Sequence, residues 1–154
     1  MKLFQIGVFV VAILFLGCSE DVKSKRIDNK LQSKEKDSIS TIAGLPWHSD
    51  LESAFSLASK ENKNVIVMVG EESCRFCKKM KEKTLIDVRI QKKLNNYILV
   101  SLKRSDKKSI KYISEFDGNI PSFFFMKSNK EMIEPVVGYF KPDDFLQYIE
   151  EIEE

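Results

Sequence analysis

Apolar residues fall along this chain in sharply different rhythms. Leu3 to Leu16 is an almost unbroken apolar run, with Gln5 its only polar side chain. Ser19 to about Ser40 mixes Lys, Asp, Glu and Ser with only scattered apolar residues. Thr41 to His48 leads out of that stretch, with Gly44 and Pro46 as breakers. From there the pattern is that of a folded domain. Leu51, Ala54, Phe55 and Ala58 recur at helical spacing behind Ser49-Asp50-Leu51-Glu52, which reads as a capping box. That helix should stop near Asn62. Val65 to Val69 is continuous and rich in β-branched residues, as expected of a strand buried on both faces.

The rest of the chain alternates in the same way. Met80 to about Thr84 continues a helix, and Asp87 to Leu94 is its second piece or a separate short one. Tyr97 to Leu102 predicts a second buried strand. Asp106 to Phe116 predicts a short helix with Ile110, Ile113 and Tyr112 on one face, and Asp117-Gly118-Asn119 a turn. Ser122 to Met126 predicts a strand, Ser128-Asn129-Lys130 a hairpin turn, and Met132 to Tyr139 a return strand that Pro135 confines to an edge. Pro142-Asp143-Asp144 opens a last helix with proline in its first turn and acids at its positive end. Phe145, Ile149 and Ile152 give it a buried face, and its closing glutamates, at the wrong end of the dipole, should fray. Trp47 is expected as a lid on the core. His48, the only histidine, is expected at the surface or in a cap, outside any site.

Composition narrows this picture. A length of 154 residues suits one domain, and 43% hydrophobic residues suffice for its core. The net charge of +2 comes from interleaved charges of both signs, which gives no signal for nucleic acid.

The first apolar run is too short to be a comfortable membrane span, and it follows Met1-Lys2. It ends in Phe15-Leu16-Gly17-Cys18, which resembles the bacterial lipobox, although Phe15 and Leu16 are bulkier than usual there. The expectation is a leader over residues 1–17, lipidation at Cys18, and a flexible tether over 18–44 that is too polar to offset the entropy of ordering. The folded domain should then occupy 45–154. The protein would be exported and anchored to a bacterial membrane by lipid, with its domain in the periplasm or on the extracytoplasmic face, where disulfides persist. The competing reading is an uncleaved anchor or a buried hydrophobic segment.

The candidate chemistry sits between the first buried strand and the helix after it. Cys74-Arg75-Phe76-Cys77 delivers two thiols to a helix start. The free N–H groups and partial positive charge of a helix N-terminus favour thiolate over thiol. Cys74 should therefore be the exposed nucleophile and Cys77, about one turn further in, the shielded resolving thiol. Arg75 would add positive charge beside the thiolate. A structural zinc site needs four ligands, and three cysteines with one histidine cannot supply them once Cys18 is used elsewhere. Haem attachment needs His after the second cysteine, where Lys78 stands. No metal and no separate cofactor are expected. The alternative is a permanent structural disulfide.

In this order of elements, with the CxxC pair, Ile120-Pro121 and the Gly138-Tyr139 to Pro142-Leu146 segment, the chain from Trp47 onward resembles the thioredoxin-like exported lipoproteins of bacteria. The resemblance implies an α/β thioredoxin fold, a central mixed sheet flanked by helices. It implies a cis peptide bond before Pro121, facing the disulfide, with Ile120 and Pro121 receiving an extended substrate segment by strand addition. It implies a thiol–disulfide oxidoreductase, and isoleucine before that proline goes with reductases in the family. Protein disulfides or thiols would be the clients. Scrambled disulfides and the CxxCH cysteines of apocytochromes both fit. A separate membrane protein would donate or accept the electrons. Two departures stand out. Met68 occupies the place of the family's buried Asp, and Ser73 that of the Trp before the first cysteine. Glu71 or Glu72 could then serve as proton acceptor for Cys77, but both read better as solvated loop charges, and a dedicated partner could supply the proton path instead. A non-catalytic binding module with an inert disulfide is the rival function.

Overall fold

The computed structural model describes residues 37–154. The leader, Cys18 and most of the expected tether lie outside these residues. The elements run β1 (Ile39–Ile42), β2 (Leu45–His48), α1 (Leu51–Glu61), β3 (Val65–Gly70), α2 (Arg75–Lys79), a π-helical turn (Met80–Thr84), α3 (Val88–Leu94), β4 (Ile98–Lys103), α4 (Lys107–Ile110), β5 (Ser122–Met126), β6 (Met132–Val137) and α5 (Pro142–Glu153). The six strands form one mixed sheet in the order β1-β2-β4-β3-β5-β6. β3 runs parallel to β4 and antiparallel to β5, so it lies at the centre.

A central strand with helices on both faces must be apolar throughout, and every residue of β3 is buried. Its side chains alternate between two cores. Val65, Val67 and Val69 pack with Leu51, Ala54, Phe55 and Ala58 of α1. Ile66 and Met68 pack on the opposite face with Met80, Ile90, Phe123, Phe145 and Ile149. β6 carries Pro135 on the sheet edge, where a missing N–H costs no ladder bond.

Several expectations move by a few residues, each for a local reason. The domain begins before residue 45. Ile39–Ile42 pairs with β2 in a hairpin, and Ile42 packs against the core. Three β-branched residues, Ile39, Thr41 and Ile42, pair across a tight turn and order a stretch whose composition is otherwise that of a tether. Trp47 is fully buried as expected, yet within β2, with its indole N–H donating to the Ile42 carbonyl at 3.2 Å. Asp50, rather than Ser49, caps α1 by accepting from the Ser53 N–H. Ser49 instead bonds back to Ser38, and the Ser49 N–H donates to Asp37. Tyr112 is exposed while Ile113 is buried, because the helix expected over 106–116 ends at Ile110. α5 runs to Glu153, whose carboxylate takes bonds from Lys93 and Tyr97, so the terminus is pinned rather than frayed.

Candidate functional site

β3 ends at Gly70 and the chain turns through residues 71–73 into α2. Cys74 is the N-cap of α2, with extended backbone. Cys74 and Cys77 are joined in a disulfide with their Cα atoms 5.2 Å apart. The Cys77 N–H donates to Cys74 Sγ at 3.0 Å. The sulfur thus occupies the place where a capping oxygen would sit, which is where a thiolate is favoured once the pair is reduced. Cys77 is 1% exposed, whereas Cys74 is only half-buried. One sulfur faces incoming molecules and the other does not.

Gly70 forms the floor. A Cβ built on it would lie 3.5 Å from Cys77 Sγ, so the strand end packs directly beneath the inner sulfur. Past Lys79 the helix widens into the π-helical turn, closed by the Leu85 N–H on the Met80 carbonyl at 3.0 Å. The buried Thr84 hydroxyl donates to the Phe140 carbonyl, tying that turn to the segment before α5.

The opposite wall is the turn before β5. The Ile120–Pro121 peptide bond is cis, and the Ile120 carbonyl oxygen lies 3.9 Å from Cys74 Sγ. Pro121 is buried and Ile120 half-buried. The Pro121 carbonyl accepts from the Gly138 N–H at 2.8 Å, which sets the start of the last loop beside the same turn.

Each charged candidate near the motif has a partner of its own. Arg75 is exposed, and its guanidinium lies over the ring of its neighbour Phe76 at 5.1 Å. The Cys77 N–H is the group that bonds Cys74 Sγ directly. Neither glutamate is free to serve Cys77. Hydrogen bonds from Ser105 hold the Glu71 carboxyl below its usual value. A bond from Lys103 at 2.6 Å does the same for Glu72. Groups so held are poorer proton acceptors. Met68 is buried on the Gly70 face, and no carboxylate among the described residues is buried. His48 sits away from this wall, with Nδ1 2.6 Å from Asp37 Oδ2.

Sequence reasoning missed Tyr139 as a neighbour of the motif. It stacks on Phe76, centroid to centroid 6.3 Å, and carries Lys79 over its face at 4.2 Å. No local signal links residues 63 apart in sequence, and only the β5–β6 pairing brings them together.

A cavity of about 490 Å³ lies elsewhere, at the end of β4, lined by serines with Asp50, Asp106 and Lys103. It contains neither cysteine. The cysteine pair, with Cys74 half-buried and Cys77 buried, can exchange a disulfide for a dithiol.

Among solved structures, the oxidised C-terminal domain of Neisseria meningitidis DsbD is similar, at 22% identity, with 67% of this chain and 96% of that one covered and a TM-score of 0.56. A thioredoxin from Thermus thermophilus is similar at 18% identity, covering 68% and 84%, with a TM-score of 0.58. A disulphide isomerase from Xylella fastidiosa Temecula1 is similar at 13% identity, covering 68% and 88%, also at 0.58. These likenesses show the fold. No curated protein sequence matches the chain. The family described as the thioredoxin-like domain matches residues 51–153, from the start of α1 to the end of α5. By that match, which spans β3 to β6, the cysteine pair and the proline turn, the chain belongs to the thioredoxin-like domain family.

Proposed function

We propose that this protein is a thiol–disulfide oxidoreductase that reduces protein disulfides from the extracytoplasmic face of a bacterial membrane, to which lipid on Cys18 tethers it. The observation that carries the chemistry is the Cys77 N–H on Cys74 Sγ at 3.0 Å, with Cys77 buried behind it. It gives each sulfur one task. In the reduced protein, Cys74 thiolate attacks a client disulfide, forming a mixed disulfide and releasing one client thiolate. Cys77 then gives up its proton and attacks Cys74 Sγ, which closes the intramolecular disulfide and releases the second client thiol. Two electrons pass from the pair to the client.

The direction rests on Ile120 before Pro121, through the family resemblance. The lipidation and export rest on the apolar run that ends in Gly17-Cys18. A protein working there receives its electrons from a separate membrane carrier, and a tether keeps the two close. The partly exposed Ile120, with its carbonyl 3.9 Å from Cys74 Sγ, favours an extended client segment that pairs with backbone.

Equilibration against graded thiol–disulfide buffers tests the function. A reduction potential well above about −300 mV, in the range of exchange-active pairs, is expected. A value below that marks a structural bond and leaves a tethered binding module.

A further inference from the structure

The surface beside the disulfide carries an aromatic pair that the exchange steps do not use. Phe76, 47% exposed, stacks on Tyr139. A cation rests on each ring, Arg75 on Phe76 and Lys79 on Tyr139. Phe76 lies between the two cysteines in sequence, and Tyr139 follows Gly138, which is bonded to the Pro121 carbonyl. The platform thus adjoins both the sulfurs and the proline turn.

The charge around it is one-sided. Arg75, Lys78, Lys79, Lys81 and Lys83 crowd α2 and the π-helical turn, with Glu82 the only acid among them. Glu82 meets only Lys78, at 3.9 Å. Of the nearby acids, Glu72 is paired with Lys103 at 2.6 Å, while Glu71 and Asp117 keep their charge beside Ser105 and Asn119. A client segment entering over Cys74 therefore meets a positive field on the Phe76–Tyr139 side.

We infer that Arg75 and Lys79, held on this aromatic pair, select clients with an Asp or Glu beside the reacting cysteine. The inference rests on the oxidoreductase reading and names its substrate class. An acidic flank is attracted during encounter and held near the rings, while a basic flank is repelled, so selection shows first in the association rate.

The test uses two disulfide peptides, identical except for Glu or Lys flanking one cysteine, mixed with the pre-reduced full chain. The acidic peptide should be reduced about tenfold faster at low salt, and the ratio should shrink as salt screens the charges. Lys79→Glu should bring the ratio to about one or below, and Lys79→Arg should restore it. Trp47 emission confirms that each variant is folded. Equal rates for both peptides overturn the inference and leave the oxidoreductase reading standing. So does a preference that survives Lys79→Glu. If Lys79→Glu abolishes binding to anionic phospholipid vesicles while the peptides show no preference, the strip faces lipid and the inference falls. If neither peptide is reduced, the oxidoreductase reading falls with it.

Discussion

Cys74 Sγ lies 3.9 Å from the carbonyl oxygen of Ile120, 46 residues further along the chain. The sheet produces this meeting. β3 and β5 are antiparallel neighbours in a register that sets Val69 opposite Ser122. The end of β3 and the start of β5 therefore share one edge, and whatever follows Gly70 must face whatever precedes Ser122. The exposed sulfur and the backbone beside Pro121 form one wall-to-wall site because of that register.

The division between the sulfurs predicts unequal variants. Cys77→Ser removes the resolving thiol and should accumulate mixed disulfides through Cys74 in cells, with multiple turnover lost. Cys74→Ser should trap none, because Cys77 is 1% exposed. Non-reducing electrophoresis followed by mass spectrometry reads both, and adducts on Cys77 would reverse the roles.

In the reduced protein the Cys77 N–H is expected to hold Cys74 as thiolate. Its alkylation rate against pH should have a midpoint below the ~8.5 of a free thiol. Arg75→Ala should move that midpoint only slightly, since the guanidinium is exposed and rests on Phe76. A large rise would return the stabilising role to Arg75.

Met68 stands on the face of β3 that Gly70 shares, and Gly70 packs against the Cys77 side chain. Met68→Asp should place a proton acceptor near Cys77 and speed release of the mixed disulfide at neutral pH. It should also lower stability by at least the ~2–5 kcal/mol of a large-to-small core change. Glu71→Gln and Glu72→Gln should leave release unchanged, because both carboxylates are bonded elsewhere. Stopped-flow measurement of the second step separates these outcomes.

The early start of the domain predicts a difference between two fragments. One beginning at residue 37 keeps β1 over Trp47. One beginning at 45 loses the Ile42 carbonyl that the indole N–H bonds and the apolar cover of Ile42. The shorter fragment should melt lower, and its tryptophan emission should shift red. Equal melting would mean that β1 adds nothing.

Acid should destabilise the fold in a narrow window. The Arg89 guanidinium beside Asp87 lowers that carboxyl from 3.8 to about 2. A depressed folded-state value contributes stability above about pH 4, lost as pH falls through 2. Although burial pushes Asp37 up, bonds from His48 and from the Ser49 and Asp50 amides leave it lowered overall, with the same sign. Urea midpoints should therefore fall between pH 4 and pH 2, and Arg89→Ala should flatten part of that fall.

What the sequence determined by itself was what short range decides. Periodicity located α1, β3 and β5, because helical and extended backbones impose different side-chain rhythms. A CxxC after a buried strand marked the pair, and its place at a helix start pointed to Cys74 as the outer sulfur, which is half-buried where Cys77 is buried. The edge placement of β6 was legible from Pro135 alone. Even so, local reading blurred wherever a segment takes its order from a distant partner. β1 looked like tether because its pairing with β2 is not written in its composition. Tyr112 was assigned to a buried face because the end of α4 depends on what packs above it.

Only the tertiary structure decided how the site is walled and charged. It paired Phe76 with Tyr139, laid Arg75 over the Phe76 ring, and committed Glu71 and Glu72 to Ser105 and Lys103. These outcomes follow from strand register and from competition among nearby partners for the same charged groups. Both depend on distances through space, and a linear pattern carries no record of those.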